Sequence, residues 1–407
     1  MLQSANLRRN CHCKLELTNN SHTMKVLFLT NMPAYHQMEL AGEFARILGP
    51  DNFRLGIYSP LSDERRSMNW QDNYQADYLL RYGASEQDRS TIEEWIQNAD
   101  VVIQGRYPIK YLRARINNGG LTYAYQERLW KRKFTLGRLI RRLPHLYRNY
   151  WSVNKPNYHL LAAGAYAGQD LYKLGLFKNR RWKFGYFINS KPEEPATKPH
   201  KSDATPISIV WCARMIPCKQ AHKAIEIAAG LKNGGVNFHL TMIGDGELFE
   251  QTQSLVRQHE LSESVSLVGS KSVAEVNAIM ADSDLMLMTS DHREGWGLVI
   301  NEAINNRCMP VVNEGAGAAK WLVSDGVDGI VYKDSNFDDT IARLVELCKD
   351  KPELNRRGDL AYASLTNNWS TQVAAARLCE LSSLLLDKNL SLDACQTRFT
   401  DGPCSQV

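Results

Sequence analysis

DLMLMTSDHREGWGLVINE, residues 284–302, reads as a strand, a glycine turn and the start of a helix. The run at 284–289 is short and apolar, the length of a buried strand. Gly295 and Gly297 break it and let backbone amides come close to a ligand. Glu294 and Glu302 are eight positions apart, about two helical turns, so an early helix start would put both carboxylates on one side. A helix start also offers N–H groups to an anion such as a diphosphate. Taken alone, the stretch also fits a plain glycine turn with two solvent-facing acids.

Outward from this stretch the same alternation repeats. Strand-like runs fall at 207–212, 238–243, 264–268 and 309–312, with helical patterns between them, for example at 221–232. Earlier in the chain, runs at 25–30, 54–58, 100–104, 121–125, 158–163 and 182–188 form a second series, with an amphipathic helix at 39–48. Strands separated by helical lengths imply βαβ units and parallel sheets. Between the series lies KPEEPATKPHKSDATP, residues 191–206, a proline-rich polar linker. The expected fold class is α/β, with two Rossmann-like doubly wound domains facing a central cleft. The first spans 24–190 and the second 207–370. A C-terminal helix at 371–388 would pack back toward the first domain, and 389–407 reads as a loose tail. Ligands of such sheets bind beyond the carboxyl ends of the strands, which places the site in the cleft.

Composition agrees with two domains. The chain has 407 residues, of which 43% are hydrophobic and 23% charged, and one core rarely serves that length. No run approaches the roughly 18 apolar residues of a membrane span. Residues 1–23 lack the apolar centre of a secretion signal and read as an extension, with Met24 an alternative start. The nine cysteines show no repeated spacing. Cys11 and Cys13 have no second pair to complete a zinc site. Free thiols fit a reducing cytoplasm. The net charge of +5 is modest.

Two further motifs sit at strand ends. Arg214 and Lys219 follow the run at 207–212 and suit a diphosphate, Arg as a fork and Lys as a point charge. Two solvated surface cations would read the same. Gly244-Asp245-Gly246-Glu247 is a tight turn without the third glycine of a dinucleotide fingerprint, and is weak by itself. Asp282-Ser283-Asp284 has the form of a divalent-cation pair. It opens its strand rather than ending it, so it reads as a solvated turn far from the cleft. No metal is expected.

In order and separation, Arg214 and Lys219, Gly244 to Gly246, the stretch 265–269, and Glu294 with Glu302 resemble the C-terminal half of glycosyltransferase family 4, a retaining family of GT-B fold. The resemblance covers roughly 207–367; the first half matches only in its strand–helix pattern. It implies that Glu294 holds hydroxyls of a donor sugar. The amides of Gly295, Trp296, Gly297 and Leu298 would contact sugar or phosphate, and Glu302 the ribose. Arg214 and Lys219 would neutralise the departing diphosphate, with Gly244 and Gly246 beside them. Leu267, Val268 and Gly269 would border the base. Front-side attack, with a donor phosphate oxygen taking the acceptor proton, is usual for such enzymes and needs no cofactor and no separate protein base.

The first half departs from the family. Where relatives carry a histidine after the fourth strand, this chain reads Tyr123-Ala124-Tyr125-Gln126-Glu127. Gln126 or Glu127 would face the acceptor, although Glu127 also reads as a simple helix-start acid. The loop 31–36 lacks the usual glycine pair; His36 would face the acceptor or be an ordinary loop histidine. Residues 127–151 interleave Arg128, Lys131, Arg138, Arg141, Arg142 and Arg148 with Trp130, Leu136, Leu139, Ile140, Leu143 and Leu146. That pattern suits a basic amphipathic helix on an anionic membrane surface, or an ordinary helix with one core face.

The expectation is therefore a retaining transfer from a nucleotide-sugar donor to a glycan or lipid-linked acceptor. It belongs to bacterial surface polysaccharide synthesis, capsule or lipopolysaccharide, in the cytoplasm or on the inner face of the plasma membrane. Nucleic acid is not an expected partner. A GT-B-shaped nucleotide-sugar epimerase and a non-catalytic partner of this fold are the alternatives.

Overall fold

The computed structural model describes residues 24–61, 73–131, 135–189 and 205–407. The N-terminal extension with Cys11 and Cys13, most of the linker, and Arg132 to Phe134 of the basic stretch lie outside the described residues.

The first sheet is built from β1 (Val26–Thr30), β2 (Phe53–Ile57), β3 (Leu79–Arg81), β4 (Val101–Gly105), β5 (Leu121–Glu127), β6 (Tyr158–Ala163) and β7 (Arg181–Phe184). Their order is β3-β2-β1-β4-β5-β6-β7, and every pairing is parallel. The second sheet holds β8 (Ile207–Cys212), β9 (Phe238–Ile243), β10 (Val265–Leu267), β11 (Leu285–Met288), β12 (Met309–Asn313) and β13 (Ile330–Tyr332). Its order is β10-β9-β8-β11-β12-β13, again parallel throughout. Strands β1, β6 and β11 are buried along their whole length, which is what a sheet covered by helices on both faces requires. β3 and β13 were not expected from the sequence. Each is only three residues long, too short for a periodicity signal.

In the second sheet the strand order reverses between β8 and β11, so their loops diverge and leave a crevice there. Lys219 follows β8 and Glu294 follows β11, which puts both motifs at that reversal.

Three expectations need correction. The stretch 389–407 is not loose. Helix Leu392–Thr397 is capped by the Ser391 hydroxyl, and the last residues form an antiparallel edge on β7. There the Lys183 amide donates to the Ser405 carbonyl at 2.7 Å, and the Cys404 amide returns a bond to the Lys183 carbonyl at 2.8 Å. Nor is Asp284 solvated: it is buried, accepts from the Ser208 amide at 2.8 Å, and lies 3.8 Å from the buried Lys351 ammonium. Only Asp282 of that pair is exposed. Finally, the first helix begins at Tyr35, not at 39. His36 therefore sits in a helix rather than a loop.

Helix Thr371–Leu386 presents Ala374, Ala375, Leu378 and Leu381 on one buried side and packs against helix Tyr35–Leu48. The same helix also touches β5, where the Tyr123 and Ser382 hydroxyls meet at 3.1 Å. The end of the chain thus reaches back across both sheets and fixes the first helix, which carries part of the site.

Candidate functional site

Lys219 ends a short 3-10 turn, Pro217–Lys219, before helix Ala221–Asn233. The Trp211 indole donates to the Thr289 hydroxyl at 2.8 Å, and that hydroxyl donates to the Lys219 carbonyl at 2.7 Å. The Asp291 amide donates to the Cys218 carbonyl at 2.9 Å. The β8 and β11 loops are therefore stitched together, and the Lys219 ammonium is ion-paired with the Glu294 carboxylate. Both side chains are largely buried, with 20% and 16% of their surface exposed. Arg214 lies exposed on the same loop, between β8 and the Lys219 turn.

Gly244 and Gly246 support that loop. A Cβ on Gly244 would stand 1.9 Å from the Ala213 carbonyl oxygen, and one on Gly246 would stand 2.6 Å from that of Met215. Any side chain there would push the Arg214 loop off its seat. The Gly244 amide donates to the Gly269 carbonyl at 2.9 Å, so the half-buried Leu267 and Val268 border the same strand ends.

Glu294 and Glu302 do not share a helix face. Gly297 has φ +93°, a conformation that interrupts a right-handed helix, and the helix starts only at Val299. Glu294 stays on the loop, and Glu302 occupies the first helical turn. Glu302 accepts a hydrogen bond from the Tyr35 phenol of the first domain. Burial pushes the Glu302 carboxyl above the usual carboxylate range, partly offset by that phenol. Glu39, one turn further along the Tyr35 helix, is also raised by burial and by Glu302, against the Asn189 amide that donates to it at 2.8 Å. The Cys212 thiol, at the end of β8, is pushed up to about 12 by burial and by Glu302. It is neutral at physiological pH.

The Trp296 side chain is 0% exposed. Its indole donates to Asn301 Oδ1 at 2.8 Å, and Asn301 donates to the Tyr186 carbonyl at 3.1 Å. A Cβ on Gly185 would stand 2.3 Å from this ring. Trp296 is thus a wedge between domains, and only its amide remains for a ligand. Leu298, at the N-cap of the Glu302 helix, is half-buried.

On the first-domain side, Glu127 is the last residue of β5, not a helix-start acid. Its carboxylate occupies the place a Gly295 Cβ would fill, 2.1 Å from that ideal position. It accepts from the Tyr186 phenol at 2.9 Å and from the Lys131 ammonium at 2.5 Å. Burial alone would raise its carboxyl, yet Lys131, Tyr186 and Arg106 together hold it below the usual range. It is a charged carboxylate lying on the glycine motif. His36 is buried and stacks on Tyr186 with centroids 4.3 Å apart. Gln126 accepts from the Tyr150 phenol at 2.9 Å.

Behind Glu127 opens a cavity of about 850 Å³ in the first domain. Gln126, Glu127 and the inner side of helix Leu136–Asn149 line it. The domains meet beside it, where Arg128 lines its wall. Arg128 donates to the His292 carbonyl at 2.7 Å, Tyr166 to the Glu314 carbonyl at 2.6 Å, and the Ala165 amide to the Gly317 carbonyl at 2.9 Å.

The geometry thus joins Lys219 to Glu294, Glu302 to the first domain, and Glu127 to Gly295. Sequence reasoning missed Tyr35, Glu39, Tyr186 and Arg106. Like Tyr35, whose partner Glu302 lies 267 residues away, these residues answer partners far along the chain, which no local pattern shows.

Residues 193–364 match the family model described as Glycosyl transferases group 1. WcaL of Escherichia coli K12, named as a colanic acid biosynthesis glycosyltransferase, is 36% identical over 194 residues, 46% of this chain and 48% of WcaL. The amylovoran biosynthesis glycosyltransferase AmsK of Erwinia amylovora is 25% identical over 196 residues, 47% of this chain and 48% of AmsK. The chain spans about half the length of the curated relatives it matches. Among solved structures, the Anabaena protein Alr3699/HepE in complex with UDP superposes with a TM-score of 0.63 at 16% identity, covering 89% of this chain and all of that one. WaaG, a glycosyltransferase involved in lipopolysaccharide biosynthesis, superposes with a TM-score of 0.57 at 14% identity, covering 88% of this chain and 99% of WaaG. The two-domain fold is GT-B.

Proposed function

We propose that this protein is a retaining glycosyltransferase. It moves a sugar from a nucleoside diphosphate sugar to a glycan or lipid-linked acceptor in bacterial surface polysaccharide synthesis. The observation that carries the reading is the Lys219–Glu294 pair at the strand reversal of the second sheet. A donor sugar entering there exchanges the Lys219 ammonium for its own hydroxyls on Glu294, and releases Lys219 to the diphosphate. Arg214, on the same loop, supplies the second cation, so the reading requires no metal. The amides of Gly295 to Leu298 take sugar or phosphate oxygens, Glu302 takes the ribose, and 267–269 border the base. Glu127, over Gly295, faces the acceptor hydroxyl, with Gln126 and His36 behind it. The reacting oxygen attacks from the face the diphosphate leaves, and a donor phosphate oxygen accepts its proton.

Among the described residues no helix is long and apolar enough to cross a membrane. Helix Leu136–Asn149 buries only Leu146, so the reading puts the protein on the inner face of the plasma membrane through that helix.

The test is a thermal-shift screen of nucleoside diphosphates, UDP first, followed by donor turnover. A nucleotide at 100 times its dissociation constant stabilises the fold by about 2.7 kcal/mol. Lys219→Ala should lose about 10²–10³ in turnover, the usual cost of one preorganised charge donor. Glu127→Gln should lose transfer while still hydrolysing donor. Donor conversion to an epimer with no acceptor present would replace this reading with an epimerase. A wild type inert to every nucleotide would end it.

A further inference from the structure

The cavity behind Glu127 is lined by more cations than acids. Arg106, Arg128, Lys131, Arg138, Arg141 and Arg142 line it, against the single acid Glu127. Lys131 is committed to Glu127. Arg128 is held by the His292 carbonyl and lies 3.8 Å from Asp170. Arg142 donates to the Leu129 carbonyl at 3.1 Å and stands over the Trp130 ring. Among the described residues, Arg106 and Arg141 have no acid within ion-pair reach. Like charges gathered in a concave site repel one another, and an anion relieves them all at once.

Two placements show that the cations are aimed. Arg106, directly after β4, has φ +56°, a left-handed conformation that a residue other than glycine rarely adopts. On helix Leu136–Asn149, Leu136, Ile140, Leu143 and Tyr147 fall on one side by the helical period, and all are exposed. Arg138, Arg141, Arg142, His145 and Asn149 fall on the other, and all line the cavity. An ordinary surface helix turns its apolar stripe inward and its cations outward. This one does the reverse.

We infer that the cavity binds a phosphate or diphosphate group carried by the acceptor, so the acceptor is a phosphorylated molecule whose reacting hydroxyl lies near its phosphate. The inference rests on the transferase reading for the word acceptor, but the anion site itself does not. Arg forks match phosphate oxygens two at a time. A space of 850 Å³ is of the size that holds a drug-sized ligand, enough for a diphosphate and a sugar ring. Glu127 separates this anion from the donor diphosphate at Lys219, so the two sites take their phosphates from opposite sides of one carboxylate.

The test titrates inorganic diphosphate into the full chain by calorimetry, with the donor site already filled by whichever nucleoside diphosphate raises the melting temperature. One further site per chain is expected. Arg138→Gln with Arg141→Gln, both exposed, should weaken it about a hundredfold, near tenfold for each charged contact. Arg214→Ala should leave it unchanged. Farnesyl diphosphate and glucose 1-phosphate then separate the sources: tighter binding of the first marks a lipid acceptor, and of the second a soluble sugar phosphate. Absence of binding with the donor site full overturns the inference. So does a double variant that binds like wild type, or glucuronate binding as well as diphosphate does. Should no nucleotide shift the melting temperature, the transferase reading falls instead, and the same titration on Arg214→Ala without nucleotide decides the cavity.

Discussion

The rim around Lys219 and Glu294 and the cavity behind Glu127 treat charge in opposite ways. At the rim, Lys219 is paired with Glu294, Glu302 with Tyr35, and Glu39 with the Asn189 amide. Lys219, Glu294 and Glu302, which would meet a nucleotide sugar, already have partners within the protein. The cavity is lined by six cations and one carboxylate. The rim is closed upon itself, so on the proposed reading a donor would enter by exchange, and its affinity would be the difference between two sets of bonds. The cavity gathers cations with fewer acids, so on the proposed reading an anion would enter by addition.

The largest way to break this comparison is to remove the wedge between the two regions. Trp296→Ala deletes a ring that is 0% exposed and lies within 6.1 Å, centroid to centroid, of Tyr186, Trp321 and Trp369. A buried aromatic truncated in this way costs about 3–5 kcal/mol. Urea unfolding of the nucleotide-free protein should show that loss. A loss under about 1 kcal/mol would mean that the ring is not part of the packing and is available to a ligand after all.

A smaller effect tests the inverted helix. Ile140 is 56% exposed, between Leu136 at 68% and Tyr147 at 64%. Inserting one such side chain into a bilayer contributes about 1.5–3 kcal/mol at full burial. Ile140→Glu should weaken flotation with phosphatidylglycerol vesicles about tenfold or more, and leave turnover of a soluble donor untouched. Equal flotation of variant and wild type would take the apolar stripe out of membrane contact and leave the arginine side to stand alone.

How much of this was legible in the sequence also differs between the regions. Strands β8 and β9 are found at 207–212 and 238–243, where short, mostly apolar runs end in the polar loops that carry Arg214 and Asp245. Lys219 and Glu294 were readable because each lies a few residues beyond such a run. Their pairing was not, and neither was the separation of Glu294 from the Glu302 helix, which one backbone angle at Gly297 decides. The cavity was less legible still. The interleaved arginines and leucines of 136–149 announce an amphipathic helix, but a period says nothing about which side faces inward. Tyr35 answers a carboxylate 267 residues away, and no local pattern encodes a distance of that kind.

Tyr35→Phe has the smallest expected effect and tests exchange at the rim most directly. The phenol satisfies Glu302 in the nucleotide-free protein, and a ribose hydroxyl would have to displace it. Without the phenol, a nucleoside diphosphate meets no competitor, and its affinity should rise several-fold, about 1 kcal/mol for one hydrogen bond. The nucleotide-free fold should lose a similar amount. The pH dependence gives the sign independently. Burial raises the Glu302 carboxyl in the folded state, and the phenol holds it down. Folding is therefore favoured by the protonated carboxyl. That contribution is complete below the unfolded value, near ~4.3, and is lost as pH rises through the raised folded value. Removing the phenol raises the folded value further, so the decline in melting temperature should extend to higher pH in Tyr35→Phe than in wild type. If the variant instead bound nucleotide more weakly, Tyr35 would be a ligand contact rather than a stand-in. The rim would then resemble the cavity, with a side chain waiting for its partner.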